Sequence, residues 1–150
     1  FGPPLPEPEL ELPGGACLVE AVTPLCVRSQ GHVHREPPPP EVLVRSAGER
    51  LRQLGERWGE VGELPAVVGR AVQEASWARV SWARTRVESG HRRSSRTGQV
   101  QELVGLRGVV AYEGMSSLAM ALLTLGAELG VGKDIAFGCG GIRLFRATAG

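Results

Sequence analysis

Lys133 is the residue of this chain best placed for chemistry, because it lies in a run of glycines, Gly130, Gly132, Gly138, Gly140 and Gly141, within the segment GVGKDIAFGCGGIRL. Glycine adopts φ > 0 at no steric cost, and a loop built this way can bring successive N–H groups close to an anion. A lysine in such a loop adds a point charge, so the segment is suited to holding an extended polyanion. It is not a nucleotide-hydrolase phosphate loop. That loop follows a strand, opens a helix and needs GxxxxGK followed by Ser or Thr. Here the position five before Gly132 is Ala127, and Lys133 is followed by Asp134. The same glycines would also serve a plain irregular connection, and the loop alone does not separate the two readings.

A second group with chemical potential lies upstream, where His91, Arg92, Arg93, Ser94, Ser95, Arg96, Thr97, Gly98 and Gln99 lead towards Arg107. Arginines with neighbouring hydroxyls hold phosphates. A histidine among them could move a proton near neutral pH as a general acid or base beside a held phosphate. His32 and His34 are two residues apart beside a polyproline turn and lack a third ligand, so an exposed hairpin tip is expected there and no metal site. Cys17, Cys26 and Cys139 are odd in number and show no CxxC or Cys/His spacing, so neither a disulfide framework nor zinc is expected. Cys17 and Cys26 read as small core residues, and Cys139 as a loop residue open to solvent. No cofactor is expected.

The formal net charge of +1 conceals an asymmetry. Residues 1–64 carry ten Glu against six Arg, and residues 65–150 carry eleven Lys and Arg against six acids. Between Arg79 and Arg107 seven arginines meet only Glu88 and Glu102. Such a cluster is the footprint of a phosphate-binding face, or of a solvated strand edge whose charges prevent aggregation.

These residues need a scaffold, and the periodicity supplies one. Residues 1–15, rich in Pro, Glu and Gly, read as a linker or disordered lead-in to a domain over 16–150. Ala16 to Arg28 is a first strand, bulged at Pro24. The Pro37–Pro40 run closes a hairpin, and Pro40 suits the first turn of a helix. Leu43, Ala47, Leu51, Leu54 and Trp58 form one apolar helical stripe, with Arg45, Glu49, Arg52 and Glu56 opposite. A short helical piece follows over Pro65 to Gln73, then a strand over Ser76 to Val87. Glu88 to Gln99 is a polar hairpin tip, and Val104 to Tyr112 a third strand. Ser116 or Ser117 caps a second long helix with Leu118, Leu122, Leu125 and Leu129 on one face, Gly130 ends it, and a last strand starts near Gly141. The order β-α-β-β-α-β is the split βαβ arrangement of ferredoxin-like, RNA-recognition-motif-like α+β domains.

Taken together, the stretch Arg92 to Gln99, the glycine-bearing strand ending at Tyr112, Glu113 and Gly114, the leucine-rich helix and the loop VGKDIAFGCGG resemble the C-terminal half of the CRISPR-associated repeat-RNA endoribonucleases, the Cas protein six family of the RAMP superfamily. Val22-Thr23-Pro24-Leu25 and Gly31 are similar to that family's opening strand and hairpin, so the resemblance covers about 16–146. Arg93 stands where the family usually has an aromatic, Thr97 where Gln is common, Asp134 where a small hydroxyl residue is usual, and Gly141 where a basic residue is frequent.

The resemblance implies a ferredoxin-like fold, CRISPR repeat RNA as partner with other CRISPR-associated effector subunits as further candidates, a cytoplasmic setting in antiviral defence, and no membrane. It implies RNA contacts from Arg92, Ser94, Ser95, Arg96, Arg107, Gly130, Gly132, Lys133, Gly138, Gly140 and Gly141. It also implies metal-independent cleavage whose principal histidine sits in an N-terminal half, so this chain, opening at Phe1, reads as a fragment or split product, with His91 its own candidate for catalysis. Two alternatives stay open. One is a non-catalytic RAMP subunit holding guide RNA. The other is a ferredoxin-like protein-interaction domain with no RNA role.

Overall fold

The core is organised around β1 (Ala16–Leu25), which takes the middle of a four-stranded antiparallel sheet. The structure is a computed structural model that describes residues 16–57, 59, 62–93, 98, 100–133, 135 and 138–146, with backbone alone at 90–93 and 100–103. Residues 1–15 and Trp58 thus lie outside the described residues. The chain continues through a small hairpin of β2 (Arg28–Ser29) and β3 (His32–Val33), then α1 (Pro40–Arg57), α2 (Leu64–Ala75), β4 (Arg79–Arg93), β5 (Val100–Glu113), α3 (Ser117–Leu129) and β6 (Ile142–Arg146). The sheet order β4-β5-β1-β6 is that of a ferredoxin-like split βαβ domain.

Side chains on a strand alternate between faces. Cys17, Val19 and Ala21 of β1 point with Val110 and Tyr112 of β5 and Ile142 of β6 into one cluster, completed by Leu43, Val44 and Ala47 of α1, Ala71 and Ala75 of α2, and Ala119, Met120, Leu122 and Leu123 of α3. The intervening residues Leu18, Glu20 and Ala111 face the other way and are buried as well. Burial pushes the Cys17 thiol up to about 11, with nearby Arg146 partly opposing the shift, so it stays a protonated core group. Two helical glycines set the helix spacing. A Cβ on Gly48 would meet Val68 Cγ1 at 2.5 Å, and one on Gly126 would meet Val131 Cγ2 at 2.7 Å.

Tyr112 locks the sheet to the proline run that starts α1. Its buried hydroxyl donates to Pro38 O at 2.8 Å. Burial raises its pKa well above the ordinary tyrosine range, so the donor survives at any physiological pH. Tyr112→Phe would leave that carbonyl without its partner, and the unmade bond should cost about 1–2 kcal/mol, read as a lower urea midpoint with unchanged slope.

Several boundaries differ from the periodic reading. β1 ends at Leu25 instead of Arg28, because its register against β5 shifts between Ala21 and Leu25, around Pro24. The helical piece at Pro65 is a full helix of 12 residues. β4 starts at Arg79, after a turn at Ser76 and Trp77, and runs past Val87 to Arg93, while β5 begins at Val100. Glu88, expected in a hairpin tip, instead pairs with Gly105, and the ladder continues to Arg93 opposite Val100. Backbone hydrogen bonds carry this extension, so its polar side chains gave no apolar alternation to read.

Candidate functional site

The glycine loop is clamped to the bulged end of β1 through its own backbone. Ser116 caps the start of α3 by accepting from Ala119 N at 3.1 Å, and Gly130, with φ 88°, ends it by donating to Gly126 O at 2.8 Å. From there Val131 N donates to Gly140 O (2.9 Å), Lys133 N to Cys26 O (2.8 Å), Gly140 N to Pro24 O (2.9 Å) and Gly141 N to Thr23 Oγ1 (2.8 Å). Val22 N in turn donates to Gly141 O at 2.9 Å. The Thr-Pro segment and the glycine loop, remote in sequence, are therefore one structural unit.

This changes the role of the glycines. Gly132 has φ 89° and a Cβ there would sit 2.5 Å from Cys26 O. At Gly140, with φ 83°, a Cβ would sit 2.2 Å from Val131 O. These two permit a close approach of protein backbone to protein backbone, and the N–H groups of Val131, Lys133, Gly140 and Gly141 are already spent inside the fold. Gly138 (φ 87°) has nothing among the described residues within 4 Å of a Cβ position and forms a left-handed turn. Gly141, expected at positive φ, is not among the residues with positive φ. Its N–H and C=O instead join it to the β1 bulge as an ordinary strand lead-in. Asp134 lies outside the described residues.

What the clamp presents is Lys133. Its exposed side chain lines a cleft of about 680 Å³ together with Arg28, Ser29 and Gln30 of the small hairpin and Glu41, Arg45, Glu49, Arg50 and Gln53 of α1. Among the described residues, several arginines outside this cleft are matched to carboxylates. Arg52 grips Glu49 and Glu56, Arg70 pairs with Glu74, Arg79 with Glu113, and Arg86 with Glu88. Arg28, Arg45 and Lys133 have no such ion pair among the described residues, and Arg50 Nε is buried with no hydrogen-bond partner among them. Glu49 does not neutralise them, because hydrogen bonding from Arg52 occupies its carboxylate and holds it below its ordinary carboxyl value. A buried guanidinium nitrogen without an acceptor is costly.

The other expected contacts fall elsewhere. Arg107 faces Arg86 across the β4–β5 ladder, and both reach Glu88, at 3.5 and 2.9 Å. His91 and Arg92 belong to the far part of β4, opposite Glu102 and Gln101, but their side chains lie outside the described residues. Ser94, Ser95 and Arg96 lie outside them entirely. Trp82 follows the bulge between Val80 and Trp82 and is 40% exposed. His34 is held to the small hairpin: its Nε2 is 2.5 Å from Ser29 Oγ, and its N–H donates to Val27 O at 2.8 Å. Cys139 is buried, not open to solvent as expected, because the clamp folds the loop inward. Periodicity could not reveal Arg28, Arg45 and Arg50 as a group, since their convergence depends on how the hairpin, α1 and the loop pack.

The model of the CRISPR-associated endoribonuclease Cas6 family matches residues 19–142. The chain belongs to that family. Solved structures agree on the fold. A Cas6 product complex superposes with a TM-score of 0.56 at 21% identity, covering 89% of this chain and 52% of that one. Thermus thermophilus Cas6 gives 0.58 at 15%, covering 88% and 54%. A partial Cas6-RT-Cas1–Cas2 complex gives 0.63 at 12%, covering 95% and 24%. The chain spans about half the length of the first two Cas6 chains. No curated protein matches it significantly. No helix among the described residues is long and apolar enough to cross a membrane.

Proposed function

We propose that this chain is the RNA-binding C-terminal half of a CRISPR repeat-RNA processing endoribonuclease of the Cas6 type, and that the cleft beside Lys133 holds the RNA backbone. The observation that carries this is the convergence on one cleft of Arg28, Arg45, Arg50 and Lys133, none of them ion-paired among the described residues. The reaction follows a metal-independent course. A 2′-hydroxyl attacks the adjacent phosphorus, its proton passes to a base, the 5′-oxygen leaves with a proton from an acid, and a 2′,3′-cyclic phosphate remains. Fixed cations stabilise the charge that builds on the phosphorane.

Proton transfer in this reading falls mainly to a histidine of the N-terminal half, with His91 the candidate within this chain. Arg92, Ser94, Ser95, Arg96 and Arg107 extend the phosphate contacts along the β4–β5 hairpin. The likeness to a Cas6-RT-Cas1–Cas2 complex supports further partnership with other CRISPR-associated subunits.

Lys133 is the first residue to test. Lys133→Ala should weaken binding of repeat RNA by about 1–3 kcal/mol, the range of hydrogen bonds to charged groups, with the melting temperature unchanged because the side chain is exposed. Fluorescence anisotropy at moderate salt reads the loss, and an unchanged dissociation constant would remove Lys133 from the RNA path.

A further inference from the structure

The cleft contains more than a phosphate site needs. Beside its cations it is lined by Gln30 and Gln53, two amides that both donate and accept, by the hydroxyls of Ser29 and Ser46, and by Glu41. Glu41 is the decisive group. A carboxylate only accepts hydrogen bonds, so against a phosphate it is repulsive, and nothing is gained by lining a purely phosphate-binding cleft with one. Glu49 is taken up by Arg52, but Glu41 has no hydrogen bond or ion pair with a side chain of the described residues. Its place in the first turn of α1 favours the helix dipole, which accounts for an acid there but not for its opening onto a cleft of cations and amides.

Resting on the proposed function, we infer that the cleft is a base-reading pocket for one unstacked nucleotide of single-stranded RNA, and that Glu41 selects guanine. Its volume of about 680 Å³ lies within the range of small-molecule sites. RNA sequence is read mostly on unstacked bases through their Watson–Crick and Hoogsteen edges. Guanine alone presents two adjacent donors, N1–H and the N2 amino group, which match the two oxygens of a carboxylate. Uracil presents N3–H between two carbonyls that the carboxylate repels. Adenine and cytosine offer one amino group beside an acceptor. Gln30 and Gln53 supply donors suited to guanine O6 and N7, while Arg28, Arg45, Arg50 and Lys133 hold the flanking phosphate.

The test compares fluorescein-labelled octauridylate with the same oligomer carrying one internal guanosine, by anisotropy. The guanosine oligomer should bind about fivefold tighter or more, the size of one good bidentate base contact. Replacing that guanosine by inosine, which lacks the 2-amino group, should remove most of the advantage without altering the protein. Glu41→Gln should bring the ratio between the two oligomers close to one. A merely structural loss would weaken both oligomers and leave the ratio. Equal binding of both oligomers by the wild-type protein overturns the guanine inference while leaving the phosphate cleft standing. Failure of both oligomers to bind overturns both readings.

Discussion

Gly140→Val should unfold the loop that carries Lys133 and cost roughly 3 kcal/mol or more of stability. Two penalties coincide at this position. The backbone sits at φ 83°, where a β-branched residue is strained, and the added Cβ would lie 2.2 Å from Val131 O and 3.0 Å from Val131 N. Neither neighbour can yield cheaply. Val131 is fully buried, and its N–H is bonded to Gly140 O at 2.9 Å, so moving it breaks the clamp that also includes Pro24. The thermal midpoint should fall by on the order of 10 °C. Gly138→Val is the matched control. It shares the left-handed backbone, φ 87°, but nothing among the described residues lies within 4 Å of its Cβ position. It should lose only the conformational part, about 1–2 kcal/mol. Urea unfolding of the two variants in parallel measures the difference, and equal losses would mean that the close backbone contact at Gly140 does not hold the loop.

That pair of variants also marks where reading the sequence reached its limit. The density of glycines around Lys133 was visible, and so was its place between a capped helix and a strand. Ser116 and Gly130 act as the two caps, and the strand and helix order follows from apolar spacing because the core face obeys periods of 2 and 3.6. The reason for the glycines was not visible. A glycine that lets backbone meet an anion and one that lets backbone meet backbone look alike in sequence, and only the approach of Cys26 O to Gly132 and of Val131 O to Gly140 distinguishes them. The long β4–β5 ladder was partly missed for a related reason. Its outer part is held by main-chain pairing and carries polar residues, so it has no alternation to detect.

The cleft itself depends on separate elements. Arg28 follows the β1 bulge, Arg45 and Arg50 lie on α1, and Lys133 comes from the loop before β6, so no local pattern joins them. Arg45 looked like one more charge on the solvent face of an amphipathic helix. What distinguishes it from Arg52 on the same helix is that Arg52 has carboxylate partners and Arg45 has none among the described residues. The convergence of Arg45 with Arg28, Arg50 and Lys133 on one cleft is set by how the hairpin, α1 and the loop pack, which no local pattern records.

Removing the exposed cations of the cleft together should change the salt dependence of RNA binding more than any other alteration of this surface. Each phosphate contact to a single strand releases counterions and contributes about 0.7 to the slope of log affinity against log salt. The combined Arg28→Ala, Arg45→Ala and Lys133→Ala variant should therefore flatten that slope by roughly two, because three contacts are lost. Arg50 is left in place, since its Nε is buried and its removal would mix folding with binding. Arg107→Ala provides the contrast. Arg107 already shares Glu88 with Arg86, so its charge is partly matched within the protein, and its removal should change the slope by less than one full contact. Arg92→Ala and Arg96→Ala in the same assay test the hairpin arm, where each true phosphate contact again lowers the slope by about 0.7. If the combined cleft variant keeps the wild-type slope while the Arg92 and Arg96 variants flatten it, the RNA follows the β4–β5 hairpin and the cleft is not on its path. A cleft variant that loses the slope while melting at the wild-type temperature places the phosphates against Lys133 and its neighbours.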